Sequence, residues 1–205
     1  MHEIVTQIDL HATGARVWAA LTDFSSYRAW NPAIRSIDGT LVEGGCLRLN
    51  LRREALRAPS HGLARALKAF AFRAWCAMND MRIPVRVTKV RPGREMRWKG
   101  TLSVPNMFTG EHYFRLIDRG DGNVRLIQGE RYTGLLEPAF REAMDVINRP
   151  SMNAVNCALK RCVESPGRAA SKAVGELAST GRVVAPTSRG PGGSSCWTTA
   201  PAWPS

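Results

Sequence analysis

Residues 110–133, GEHYFRLIDRGDGNVRLIQGERYT, place two β-forming stretches on either side of Asp118-Arg119-Gly120-Asp121-Gly122. Glycine adopts left-handed backbone freely and aspartate tolerates it, so those five residues read as a turn joining the arms 110–117 and 123–133 into a hairpin. Pairing residues equidistant from Asp121 sets Leu116 against Leu126, Phe114 against Gln128 and His112 against Glu130. Strand side chains alternate in direction, so all six share one face. Phe114, Leu116 and Leu126 mark that face as the buried one, and His112, Gln128 and Glu130 turn inward with them. The tripeptide Arg119-Gly120-Asp121 resembles an adhesion motif only because it lies in the turn, and it carries no weight.

The same alternation extends outward from the hairpin. Leu47, Leu49 and Leu51 alternate with Arg48, Asn50 and Arg52. Ile83, Val85 and Val87 alternate with Arg82 and Arg86, and Met96, Trp98 and Gly100 with Arg97 and Lys99. Each set predicts a strand with one apolar face and one arginine-rich face turned to water. Residues 3–10 read as a further strand. After it Thr13 can cap a helix whose apolar positions Val17, Trp18, Ala20, Leu21 and Phe24 recur at helical spacing. A second short helix is expected around Tyr27-Arg28-Ala29-Trp30-Asn31-Pro32. Downstream of Gly134 a helix opens with Pro138 in its first turn and runs to about Val163, with a kink or break at Pro150. Met152, Val155, Leu159 and Cys162 form its apolar face.

The chain has 205 residues, 44% of them hydrophobic, enough for one domain with a substantial core. No apolar run is long enough to cross a bilayer, and the first residues lack a basic stretch followed by an apolar one. The five cysteines (Cys46, Cys76, Cys157, Cys162, Cys196) show neither disulfide-framework nor zinc spacing. Free thiols and a cytoplasmic location are the expectation. Basic residues outnumber acidic ones, 29 to 17, for a net charge of +12. The excess is local, because 14 Lys and Arg against 3 Asp and Glu fall between Arg48 and Lys99.

Two stretches stand apart. Residues 54–80 hold Leu63, Leu67, Phe70, Ala74 and Met78 on one helical face, with Arg65 and Lys68 opposite. That is either a basic helix docked on the body or an element making transient membrane-surface contact through 63–78. Residues 165–205 turn to Gly, Pro, Ser, Thr and Ala without apolar periodicity and are expected to be a disordered tail.

Several segments in chain order carry a family resemblance. They are Val17-Trp18-Ala19-Ala20-Leu21-Thr22-Asp23-Phe24, Tyr27-Arg28-Ala29-Trp30-Asn31-Pro32, Gly93-Arg94-Glu95-Met96-Arg97-Trp98-Lys99-Gly100, Gly110-Glu111-His112-Tyr113-Phe114 and Gln128-Gly129-Glu130-Arg131-Tyr132-Thr133-Gly134. Together they resemble the START-like (SRPBCC, birch-pollen-allergen-like) superfamily, in its polyketide cyclase/dehydrase and lipid-transport branch. The resemblance covers about residues 3–164, apart from the 54–80 insertion, and the tail lies outside it. It implies an α+β helix-grip fold, with a curved antiparallel sheet wrapped around a long C-terminal helix and two short helices after the first strand. It also implies carriage of a hydrophobic small molecule, lipid or polyketide-like, in an internal cavity.

On that expectation the ligand-binding candidates are Trp30, Trp98, His112, Phe114, Gln128, Glu130 and Tyr132. Trp18 and Phe24 fit ordinary core packing. The His112–Glu130 pair reads first as a cross-strand hydrogen bond fixing the sheet. A carboxylate beside an imidazole also supports acid–base work, which makes the two the catalytic candidates of an alternative, cyclase/dehydrase-type enzyme. P-loop, dinucleotide, nucleophile-elbow and His-Glu-x-x-His patterns are absent, so no cofactor and no metal are expected. A basic membrane-surface or nucleic-acid-binding protein ranks third, because most aromatics alternate away from the basic residues, Phe72 and Trp75 excepted. Nothing in the sequence sets an oligomeric state.

Overall fold

The computed structural model of the chain describes residues 1–52, 82–101 and 106–165. The 54–80 insertion, with its 63–78 amphipathic stretch, and residues 166–205 of the expected tail lie outside the described residues.

Strand β1 (His2–Leu10) leads through Thr13 into helix α1 (Gly14–Thr22), a 3₁₀ turn (Phe24–Ser26) and the one-turn helix α2 (Tyr27–Trp30). Thr13 accepts a hydrogen bond from the Arg16 amide, as an N-cap should. Strands β2 (Ile34–Gly39), β3 (Cys46–Leu51), β4 (Arg82–Arg91), β5 (Glu95–Thr101), β6 (Thr109–Gly120) and β7 (Asn123–Thr133) follow, and helix α3 (Glu137–Glu164) closes the order. Among the described residues seven strands form one curved antiparallel sheet in the order β1-β7-β6-β5-β4-β3-β2. This is the expected helix-grip architecture.

The hairpin register is the one its turn predicts, with Leu116 opposite Leu126, Phe114 opposite Gln128 and His112 opposite Glu130. The inner face packs Leu47, Val85, Val87, Met96, Trp98, Phe114 and Leu126 against Val17 and Leu21 of α1 and Leu159 and Val163 of α3. A second cluster joins Ile4, Phe108 and Tyr132 to Ala143, Met144 and Met152. Helix α3 lies along β1, the edge strand. Its Lys160 Nζ donates to the Asp9 carbonyl at 2.8 Å and its Arg149 guanidinium to the Val5 carbonyl at 3.4 Å.

One strand is unanticipated, and several expectations are corrected. Residues Ile34–Gly39 form a strand that strict alternation hides, because a bulge between Ile34 and Ser36 shifts the phase and lets Ile37 face the core. Of the kink or break expected at Pro150, the break is ruled out, because helix α3 runs through it as one element. Its buried stripe ends on Val163, whereas Cys162 is half-buried. Arg52 is half-buried rather than turned wholly to water: it donates to the Asn31 and Arg28 carbonyls at 3.0 and 2.7 Å, closing the end of α2. Cys157 and Cys162 are free thiols, but Cys46 is disulfide-bonded, its partner outside the described residues. Spacing along a chain does not reveal which distant cysteines meet, and the bond removes the thiol argument for a reducing compartment.

The arginine face is also more organised than a solvated one. Arg97, Arg115 and Arg131 stand 5.1, 5.8 and 5.6 Å from the centre of the Tyr113 ring. Tyr113 donates to Glu3 at 2.9 Å, and Glu3 also accepts from Arg131 at 2.8 Å. Glu95 binds Arg97 and Lys89 at 2.6 and 3.0 Å. Burial works against the Glu95 charge, and these two cations outweigh it, holding the carboxyl down at about 2. No described helix is long and apolar enough to cross a membrane.

Candidate functional site

Polar side chains gather on the inner face where β5, β6 and β7 run side by side. Trp98, His112 and Glu130 stand in one cross-strand row, because Trp98 pairs with His112 and His112 with Glu130. The Trp98 and His112 rings stack 5.5 Å apart and nearly parallel, and Phe114 tilts against both. The His112 Nδ1 atom lies 3.4 Å from Glu130 Oε2, and its Nε2 lies 3.1 Å from the Gln128 side-chain nitrogen. A carboxylate only accepts, so Nδ1 carries the proton toward Glu130. In neutral His112 the Nε2 lone pair then accepts from the Gln128 amide. Both imidazole nitrogens are thus engaged.

Glu130 is further held by Asn148 of α3, whose Nδ2 donates to Oε2 at 3.3 Å and to the Tyr132 hydroxyl. Burial, with Glu130 beside it, pushes the Tyr132 hydroxyl well above its ordinary value, so it stays protonated through the physiological range. Phe108 stacks on the Tyr132 ring at 5.6 Å. Next to this group Gly100 pairs with Gly110 on adjacent strands, and neighbouring side chains fill the space over both. A Cβ on Gly110 would come within 3.0 Å of Glu130 Oε1, so the missing side chain is what lets the carboxylate lie over the strand.

Further along the same face Thr6 pairs with Gln128 and donates to its backbone carbonyl at 3.3 Å. Asn156 of α3 donates to Thr6 Oγ1 at 3.0 Å. Gln128 and Asn156 are each 2% exposed, and one oxygen of each side chain, Gln128 Oε1 and Asn156 Oδ1, has no hydrogen-bond donor. His112 and Glu130, by contrast, keep 15% and 21% of their side-chain surface accessible although they face inward.

Six of the seven candidates therefore meet in one group: Trp98, His112, Phe114, Gln128, Glu130 and Tyr132. Trp30 does not join it by any hydrogen bond or ring contact among the described residues. Its N–H donates to Ser26 Oγ at 3.2 Å, and its ring packs edge-on against Tyr27. Trp18 and Phe24 pack at the margin of the apolar core. Thr6, Asn148 and Asn156 escaped the reading of the sequence. The signal was present in α3, where Met144, Asn148, Met152, Asn156 and Val163 fall near helical spacing, so two asparagines interrupt an otherwise apolar stripe. Among the described residues no cluster of His, Cys, Asp and Glu could hold a metal ion.

Nothing among curated protein sequences matches the chain. Solved structures similar to it include a START superfamily protein from Mycobacterium smegmatis, 14% identical with a TM-score of 0.53, covering 80% of this chain and 98% of that one. A hypothetical protein from Helicobacter pylori is 10% identical with a TM-score of 0.56, covering 79% of this chain and 88% of that one. The di-domain ARO/CYC BexL from the BE-7585A biosynthetic pathway is 10% identical with a TM-score of 0.56, covering 80% of this chain and 48% of that one. At such identities the likeness is one of fold. A family model matches residues 1–165 directly, and on that match the chain belongs to the family described as polyketide cyclase / dehydrase and lipid transport.

Proposed function

We propose that the chain binds and carries a hydrophobic small molecule, lipid or polyketide-like, between the inner sheet face and α3. The observation that carries this reading is the accessibility of His112 and Glu130. Two polar side chains on the inner face keep open surface while Trp98 and Phe114, their neighbours, are each 3% exposed. A packed core closes over such groups or replaces them, because burying them without full pairing costs several kcal/mol. The aromatic walls supply apolar contact. Family membership supports the same reading.

Two measurements test it. Mass spectrometry of molecules extracted from the purified protein should find a co-purified apolar compound, and a fluorescent fatty-acid analogue should gain emission on binding, with its affinity altered by Trp98→Ala. No bound compound together with no probe binding removes the carrier reading. The cyclase/dehydrase alternative gains ground if His112→Ala loses binding without losing stability, since that outcome places the imidazole at the ligand.

A further inference from the structure

The outer face of β3, β4 and β5 carries cations that the fold leaves unpaired. Arg48, Arg82, Arg86 and Lys99 are all exposed, and among the described residues none of them forms an ion pair. The strand register groups them: Arg86 lies directly across from Lys99, Arg48 across from Pro84 and Arg82 across from Asn50. Neighbouring strands stand about 4.8 Å apart and Arg82 to Arg86 spans about 13 Å, so the four charges reinforce one another at physiological salt, where screening acts over about 8 Å. The carboxylates opposite two of them are engaged elsewhere. Asp38, across from Arg48, accepts from Asn50 at 3.0 Å. Glu111, across from Lys99, accepts from Thr88 at 3.0 Å and from Arg97 at 3.5 Å. Like charges directly opposite weaken a sheet, so the fold keeps Arg86 and Lys99 side by side against a local penalty.

Beside this block the turn between β2 and β3 presents Val42, which is 52% exposed. The turn is fastened to β4, because the Gly44 amide donates to the Val87 carbonyl at 2.9 Å and the Val87 amide to the Gly45 carbonyl at 2.8 Å. The Arg86 guanidinium reaches the Gly44 carbonyl at 3.4 Å, which sets a cation next to the exposed valine. We propose that this face docks on an anionic lipid membrane, with Arg48, Arg82, Arg86 and Lys99 toward the headgroup phosphates and Val42 at the apolar boundary. Charge complementarity calls for a polyanion, and the surroundings of the cations favour a bilayer over a nucleic acid. Pro84 and Thr88 stand exposed among them, and the outward aromatic of the neighbouring strand, Tyr113, is buried beneath three arginines, so single-stranded bases find no ring to stack on. Strands β3 to β5 are flanked on both sides by others, so their face meets a plane more readily than the groove of a duplex. The surface stands on its own residues and does not depend on the carrier reading.

The test is co-sedimentation of the full chain with vesicles of phosphatidylcholine alone and of phosphatidylcholine with one-third phosphatidylglycerol, at about 0.15 M and about 1 M salt. Binding is expected to the anionic vesicles only, and to be lost at the higher salt. The variant Arg48→Gln/Arg86→Gln/Lys99→Gln removes one cation per strand and should bind the anionic vesicles about tenfold more weakly or worse, since each cation near such a surface contributes separately. The control Arg28→Gln/Arg119→Gln/Arg161→Gln removes the same charge from exposed positions on other elements and should lose less than about threefold. Arg86→Gln alone should show a smaller loss of the same sign, which reads the surface without the triple variant. No binding of the unaltered chain to anionic vesicles overturns the proposal. Equal losses in the two triple variants also overturn it, by reducing the effect to net charge, and undiminished binding without Arg48, Arg86 and Lys99 moves the contact to another part of the chain. Duplex DNA bound more tightly than the vesicles at the same salt, with that binding lost in the first variant, assigns the face to nucleic acid instead.

Discussion

On the outer sheet face the ring of Tyr113 occupies the space that a side chain at Gly129, its cross-strand partner, would fill. The tyrosine is 5% exposed although it lies on the face turned away from the core, because Gly129 lets it lie flat and three arginines cover it. Gly129→Ala is therefore expected to displace the ring and cost about 1–3 kcal/mol, as overpacking does. Thermal unfolding checks this, and the same substitution made with Tyr113→Ala should cost markedly less. Equal costs in the two backgrounds would mean that the contact is not what Gly129 serves.

Glu95 gives the fold a specific acid sensitivity. Its carboxyl titrates at about 2 in the folded chain against 4.5 for a free glutamate side chain. A depressed folded-state value stabilises fully above the unfolded value and is lost as the pH falls from about 4.5 toward 2. The midpoint of unfolding should drop across that window, and Glu95→Gln should flatten the drop. An unchanged slope in the variant would assign the acid sensitivity to other carboxylates.

Asn156→Leu should leave stability unchanged or raise it. The carboxamide oxygen is buried without a donor, a situation that costs about 1–3 kcal/mol, while Thr6 keeps the acceptor for its own proton. At this chain length 1 kcal/mol corresponds to about 2–4 °C in the unfolding midpoint. A midpoint lowered by more than about 5 °C would show that the oxygen is served by a partner the fold requires.

A chain ending at Ser165 should unfold within about 2 °C of the full one. The family match ends at residue 165, and Arg16 already binds the Ser165 carbonyl at 2.7 Å. A larger loss would show that the remaining residues contribute to the fold.

The hairpin was legible because Phe114, Leu116 and Leu126 fix which face is buried and Asp121 fixes the centre of the turn. From those two facts the neighbours of His112 follow without coordinates. Strand β2 was not legible, since its bulge breaks the alternation that a reader of sequence looks for. Asn148 and Asn156 were overlooked for a related reason. A helix face is recognised by its apolar majority, and a polar residue within it looks like noise until the sheet opposite supplies Glu130, Tyr132 and Thr6 as partners. Arg97 and Arg131 were visible as outward residues, but their association with Tyr113 depends on the absence of a side chain at Gly129. Alternation records which way a residue points and not what it leans against.

The contacts of α3 with β1 bear on the margin of the sheet. Lys160 and Arg149 occupy outward carbonyls of an edge strand, groups that would otherwise invite a strand from another molecule. A helix that swung aside would expose that edge and with it a risk of self-association. Keeping α3 seated ties the guarding of the sheet margin to the roofing of the interior.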